Sequence, residues 1–159
     1  MVSILEKSKF INIVVSVAIK KNKKYILVKE LKKEIKGLWN FPSGKVIFGE
    51  NLFIAAKREV KEETGFDFKP KNILGVYSLT KKEGAVIHHV IKIIFLGDIT
   101  KKQEGRWVDE ISEIKWFTPE EIEKMDMATL RDVDIKIMVK DYFAGKKYPL
   151  DLITHTIQK

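Results

Sequence analysis

Residues Gly44 to Phe66 read GKVIFGENLFIAAKREVKEETGF, and this stretch decides the fold because it places three carboxylates where an ordinary amphipathic helix would not tolerate them. Asn51 is a good N-cap ahead of the apolar periodicity, and Gly65 suits the left-handed residue that closes a helix, so the spacing predicts a helix over Leu52–Thr64. Glu59, Glu62 and Glu63 stand at i, i+3 and i+4 and share one face of it. At about 100° per residue, Glu63 projects into the same arc as Leu52, Ala56 and Val60, the stripe that faces the core. A carboxylate is therefore aimed partly inward. The three acids also crowd the last turn, where the helix dipole disfavours negative charge and Glu59 and Glu63 repel each other. Arg58, four residues before Glu62, balances one charge only, so a hard divalent ion held by oxygen ligands, Mg²⁺ or Mn²⁺, is the expected counter-charge.

Upstream, Pro42, Gly44 and Gly49 punctuate a loop. Phe41-Pro42-Ser43-Gly44 reads as a turn, and Gly49-Glu50 brings a further carboxylate to the start of the helix. The unit resembles the signature of the Nudix hydrolases, enzymes that cleave a nucleoside diphosphate linked to another moiety. That signature is G-x5-E-x7-R-E-apolar-x-E-E-x-G-apolar, and Gly44, Glu50, Arg58, Glu59, Val60, Glu62, Glu63, Gly65 and Phe66 meet every specified position. The resemblance implies an α/β/α sandwich in which a mixed sheet lies between helices and the signature forms a loop-helix-loop. It also implies that Glu59 and Glu63 are the principal metal ligands, with Glu62 contributing directly or through water, and that Arg58 orients these carboxylates by a fork of hydrogen bonds shared with Glu50. The general base in this family is a signature glutamate or an acid from a later loop. Glu104, Asp109 and Glu110 all precede the last predicted strand, and Glu110 is the one expected.

Composition sets limits on the rest. A chain of 159 residues that is 45% hydrophobic can bury one sizeable core, so residues 1–159 are expected to form a single domain with its signature at 44–66. The absence of cysteine excludes disulfides and thiol chemistry and suits a cytoplasmic protein. The segment FINIVVSVAI alternates and is followed by KKNKK, which marks a strand rather than a signal peptide, and no apolar run approaches a membrane span. Lysine and arginine number 30 against 22 acids, a net charge of +8. The lysines scatter rather than forming a stripe interleaved with aromatics, so solvated faces explain them better than nucleic-acid binding, although an anionic substrate would be attracted.

The remaining pattern predicts strands over Ile11–Lys20, Lys24–Lys29, Asn72–Thr80, Val86–Leu96 and Ile111–Phe117, with Lys81–Gly84 as a turn. Thr118 and Pro119 start a helix as cap and first position, and a last helix is expected over Leu130–Phe143, stopping at Gly145. The order argues for an α/β or α+β layered domain.

Outside the signature, Leu38-Trp39-Asn40-Phe41-Pro42 and Gly145-Lys146-Lys147-Tyr148-Pro149-Leu150 resemble the NudJ branch of the family. That resemblance implies a phosphatase acting on nucleoside di- and triphosphates. Trp39, Asn40, Phe41 and Tyr148 are the candidates to contact substrate, the aromatics by stacking on a base, with core or loop packing for Trp39 and Phe41 and a tail anchor for Tyr148 as equal alternatives. ADP-ribose or oxidised-nucleotide pyrophosphatase activity is the alternative. A nucleotide-sensing domain is disfavoured because no signature acid is lost, and an RNA-end hydrolase would show a steep salt dependence of RNA binding. The expected partners are small nucleotides or pyrophosphates, with the chain a monomer or homodimer. His88 and His89 point to opposite faces of a strand, so at least one stands away from any site.

Overall fold

The computed structural model describes residues 9–83, 86–102 and 108–157. Strand β1 (Lys9–Lys21) turns through Asn22 and Lys23, both at positive φ, into β2 (Lys24–Glu30), the two-residue geometry that matches strand twist. Then come β3 (Trp39–Asn40), β4 (Ser43–Lys45) and helix α1 (Leu52–Thr64), followed by two long strands, β5 (Phe66–Glu83) and β6 (Val86–Lys102). Strand β7 (Ile111–Phe117) and helices α2 (Pro119–Lys124) and α3 (Asp134–Phe143) complete the order.

Among the described residues seven strands form one mixed sheet, ordered β3-β2-β1-β6-β5 with β4 on β1 and β7 on β2. Strands β1 and β6 run parallel, and the other pairs are antiparallel. The pleat divides the core. Val15, Val17 and Ile19 of β1, with Ile93 and Phe95 of β6, face Ala55, Ala56 and Val60 of α1. Ala18, Ile94 and Leu96 face the other way, onto Ile122 of α2 and Ile135 and Met138 of α3. The expected α/β/α layering follows from that alternation.

The sheet splits at one place. Strand β1 pairs with β2 at Lys20–Tyr25 and Lys21–Lys24, and farther back it pairs with β4 at Val14, Val15 and Ser16 instead. Between these two contacts the Val17 N–H donates to the Pro42 carbonyl at 2.9 Å, so the Phe41–Pro42 turn wedges the halves apart. The end of β2 is left facing the end of α1 across a gap.

Local signals place most boundaries. Asn51 caps α1 by accepting from the Phe53 N–H at 2.8 Å, and Gly65 closes the helix at φ 71°. Thr118 and Glu121 form a capping box around Pro119. Three expectations need correction. The last helix begins at Asp134 rather than Leu130, because the Arg131 N–H donates to the Trp39 carbonyl and Leu130 bridges to Trp39 as a parallel partner. Residues Lys81 to Glu83 continue β5, paired with β6, while Gly84 of the expected turn lies outside the described residues. Both long strands also run further than their apolar pattern, because ladder hydrogen bonds with the neighbouring strand hold charged residues such as Lys69 and Asp98 in register.

Gly97 of β6 tests that ladder. A Cβ there would run into the Lys69 carbonyl and the Phe68 ring where the β5 register shifts. Gly97→Ala is expected to destabilise by about 1–3 kcal/mol, as overpacking does, seen as a lower urea midpoint with an unchanged slope.

Candidate active site

A cavity of about 610 Å³ opens where the sheet splits. Its acidic end takes Glu59, Glu62 and Glu63 from α1, Glu30 from the end of β2, and Glu110 from the turn before β7. Its other end is floored by Asn12 and Val14 of β1 and Val90 and Lys92 of β6, with Lys81, His88, Arg131 and Asp132 around them. The parallel register that sets Asn12 beside Val90 and Val14 beside Lys92 builds that floor.

The α1 face is polar where a core stripe would be apolar. Glu59 is 8% exposed and Glu63 is 6% exposed, whereas Glu62 is exposed. The sequence points to Glu63 as the inward acid, and the fold buries Glu59 equally. The Ser43 N–H donates to Glu63 Oε2 at 2.9 Å, and the Gly44 backbone lies so close to the Glu59 carboxylate that any side chain at Gly44 would displace it. That close approach is why the loop has glycine there.

Arg58 does more than pair with Glu62. Its Nε and Nη2 donate to the two oxygens of Glu50 at 2.8 and 2.9 Å, and its Nη1 reaches both Glu59 and Glu62. A further bond to the Lys45 carbonyl ties helix, loop and β4 together. The hydrogen bonds it donates to Glu50 hold the Arg58 guanidinium above its ordinary pKa despite burial, and the same bonds hold Glu50 below the ordinary carboxylate value.

The other acids move the opposite way. Burial pushes the carboxyls of Glu59 and Glu30 above the ordinary 4.5, and Glu63 well above it, with Glu30 and Glu59 adding repulsion at Glu63. Glu30 is 5% exposed, and among the described residues the one hydrogen bond to its carboxylate is a long one from Asn40 Nδ2 at 3.5 Å. Among the described residues no group of three acidic or histidine side chains is close enough to hold an ion as it stands. The donor set nevertheless fits a hard divalent cation. It is all oxygen and crowded with like charge, and burial raises the proton affinity of Glu59 and Glu63 within it.

The expected site residues divide as follows. Glu50, Arg58, Glu59, Glu62 and Glu63 converge, Gly44 adjoins them, Gly65 ends their helix, and Glu110 faces them with Lys32 Nζ 2.8 Å from its carboxylate. Asn40 lines the cavity and donates to Ser43 Oγ at 2.8 Å. Trp39 and Phe41 do not line it. They are core residues, packed edge-to-face on Phe117 and Tyr25. Tyr148 lines a different cavity, where its backbone pairs with Ile73 on β5. Pairing of β3 with β2 seats Trp39 inward, Phe41 follows it into the core, and the bridge to Ile73 ties Tyr148 to β5. Glu104 lies outside the described residues. His88 lines the cavity and stacks on Phe10, while His89 points away and bonds Ser78 at 2.8 Å.

Sequence reasoning misses Glu30 and the cluster at the far end, where Lys92 Nζ donates to Asp132 at 2.7 Å and Asp134 at 2.9 Å, with Lys81 Nζ 3.3 Å from Asp132. Burial works against the Asp132 carboxylate, but Lys92, Lys81 and Arg131 outweigh it and hold its pKa below the ordinary value. A lysine in the middle of a central strand, as Lys92 is in β6, is the one sequence signal that pointed here.

Comparison with known proteins agrees with this geometry. A NUDIX domain model matches residues 11–137, which span the signature and both ends of the cavity, so the chain belongs to the Nudix family. It is a hydrolase of phosphorus-containing acid anhydrides. The ADP-ribose pyrophosphatase of Methanocaldococcus jannaschii is 34% identical over 128 residues, covering 80% of this chain and 70% of that protein. The phosphatase NudJ of Escherichia coli is 29% identical over 118 residues, 74% of each chain. Among solved structures, a Nudix hydrolase from Nitrosomonas europaea superposes with a TM-score of 0.83 at 31% identity, covering 92% of this chain and 98% of its own. Nudix hydrolases generally use divalent metals.

The raised carboxyls make a signed prediction. A group whose pKa is raised by folding stabilises most below its unfolded value, and that contribution is lost as pH climbs through the folded value. In chelator, wild-type stability should therefore carry a component that falls as pH rises above about 4.5. Glu63→Gln keeps an oxygen for the Ser43 N–H but cannot ionise. The variant should lose less stability over that rise and be at least as stable at neutral pH, as read by urea unfolding across pH. A neutral-pH Glu63→Gln protein that unfolds well below wild type would show that the ionised carboxylate is itself a structural partner.

Proposed function

We propose that the protein is a Mg²⁺- or Mn²⁺-dependent hydrolase of nucleoside di- and triphosphates and related pyrophosphates, resembling the NudJ phosphatases, with water attacking phosphorus. We further propose that it acts in the cytoplasm as a monomer or homodimer. The observation that carries this reading is one cavity that joins buried carboxylates of raised proton affinity to a cationic far end. Its volume of about 610 Å³ falls in the range of roughly 300–1,000 Å³ that suits a small molecule.

In this reading Glu59 and Glu63 hold the ion, with Glu62 contributing directly or through water. When bound, the ion neutralises phosphoryl oxygens and lowers the pKa of the attacking water. Arg58 supplies orientation: by gripping Glu50, Glu59 and Glu62 it sets the direction in which each carboxylate presents its oxygens. Glu110 is the proposed base, facing the same cavity and fixed by Lys32. Asn40 remains a candidate to touch substrate, while base stacking by Trp39, Phe41 or Tyr148 is set aside.

The second reading is an ADP-ribose pyrophosphatase, favoured by the 34% identity to the Methanocaldococcus jannaschii protein of that name. Product analysis separates the two. With metal supplied, inorganic phosphate released from nucleoside di- or triphosphates should exceed nucleoside monophosphate released from ADP-ribose, and the reverse order would establish the second reading.

The metal assignment has its own test. Glu59→Gln or Glu63→Gln should lower turnover by about a thousandfold while the protein stays folded, since several kcal/mol of transition-state stabilisation is at stake. A variant within about threefold of wild type would remove its residue from the site.

A further inference from the structure

Six glutamates line the cavity, so a phosphate chain entering it must meet positive charge on the opposite wall. Four lining cations are already engaged: Lys32 with Glu110, Arg58 with the signature acids, Lys81 with Asp132, and Lys92 with Asp132 and Asp134. Lys45 stands exposed at the rim. Arg131 differs from all of these. Half-buried, it lines the cavity on the wall between Glu30 and Asp132 and its charge reaches both, yet among the described residues its guanidinium makes no hydrogen bond or ion pair.

The backbone around Arg131 is held firmly while its side chain is left unspent. The Arg131 N–H donates to the Trp39 carbonyl, Leu130 bridges to β3, and the next residue, Asp132, is clamped by two lysines. A structural arginine between two carboxylates would close onto one of them. This one lines the cavity with its five N–H donors uncommitted, and a planar fork of that kind matches phosphate oxygens.

We infer that Arg131 is a substrate-anchoring residue, donating a forked pair of hydrogen bonds to non-bridging oxygens of the substrate's phosphate chain, which is thereby held across the cavity from the glutamates. It deepens the proposed function and rests on it for the class of substrate. Arg131 holds the anion and takes no part in proton transfer. It lies outside the signature, on the segment that the β3 bridge keeps from joining α3.

The test is calorimetric titration of the full chain, in Mg²⁺, with methylenediphosphonate, a diphosphate whose bridging carbon resists hydrolysis. Arg131→Gln should weaken binding by about ten- to a hundredfold, the loss expected for a forked charge-assisted contact, and should leave the melting temperature in place. Arg131→Lys, which keeps the charge but not the fork, should lose several-fold, and it carries the test if the glutamine variant folds poorly. Lys57→Gln, an exposed charge removed from α1 outside the cavity, should bind as wild type does. On whichever nucleotide is hydrolysed, KM should rise with Arg131→Gln more than kcat falls. Wild-type binding that is undetectable, an Arg131→Gln affinity within about threefold of wild type, or an equal loss in Lys57→Gln would overturn the assignment. Wild-type protein that binds the diphosphonate but releases no phosphate from nucleotides would sink the proposed function and leave Arg131 as an anion anchor.

Discussion

The Arg58 guanidinium is the constraint on which the site depends. One planar group touches Glu50 from the loop, Glu59 and Glu62 from the helix, and the Lys45 carbonyl of β4. Each contact is ordinary for arginine, but together they fix where the loop crosses the helix and how far apart the carboxylates stand. A lysine could not replace it, since a single ammonium cannot satisfy both oxygens of Glu50 and reach Glu59 as well. Burying Glu59 and Glu63 on a core-facing helix is unfavourable by itself. It is tolerable because the adjacent charge is compensated by Arg58 and because the Ser43 N–H partners Glu63.

That unfavourable helix end is placed by the split in the sheet. Had β1 paired with β2 along its whole length, no gap would face the glutamates. The hairpin turn holds the two strands at one end, and the Phe41–Pro42 wedge with β4 displaces β2 at the other. Trp39 and Phe41 serve the site through this architecture. By filling the core beneath β3 they hold the wedge that opens the cavity. The two ends of the cavity then carry opposite tasks: carboxylates that call for a cation at one, and an ordered set of lysine, arginine and aspartate at the other.

Much of this was legible in the chain by itself. Helix α1 and both of its caps follow from residues within a few positions of one another, as do the capping box at Thr118 and the alternation that splits the core between two faces. The acid spacing on α1 announces a site because three glutamates on one turn have no good structural excuse. Local chemistry acts over local distances, so sequence suffices for it.

What only the tertiary structure decided depends on contacts between distant residues. Glu30 looks like the solvated end of a strand until β3 and α1 close over it, and Lys92, Asp132 and Asp134 are ordinary charges until β6, the loop before α3 and the start of α3 bring them together. Arg131 belongs to the last helix by pattern and is pulled out of it by a hydrogen bond to Trp39, ninety-odd residues earlier in the chain. Trp39, Phe41 and Tyr148 show the same limit from the other side. An aromatic ring has one signature in sequence whether it fills a core or stacks on a base, and the choice is made by the distant residues it packs against.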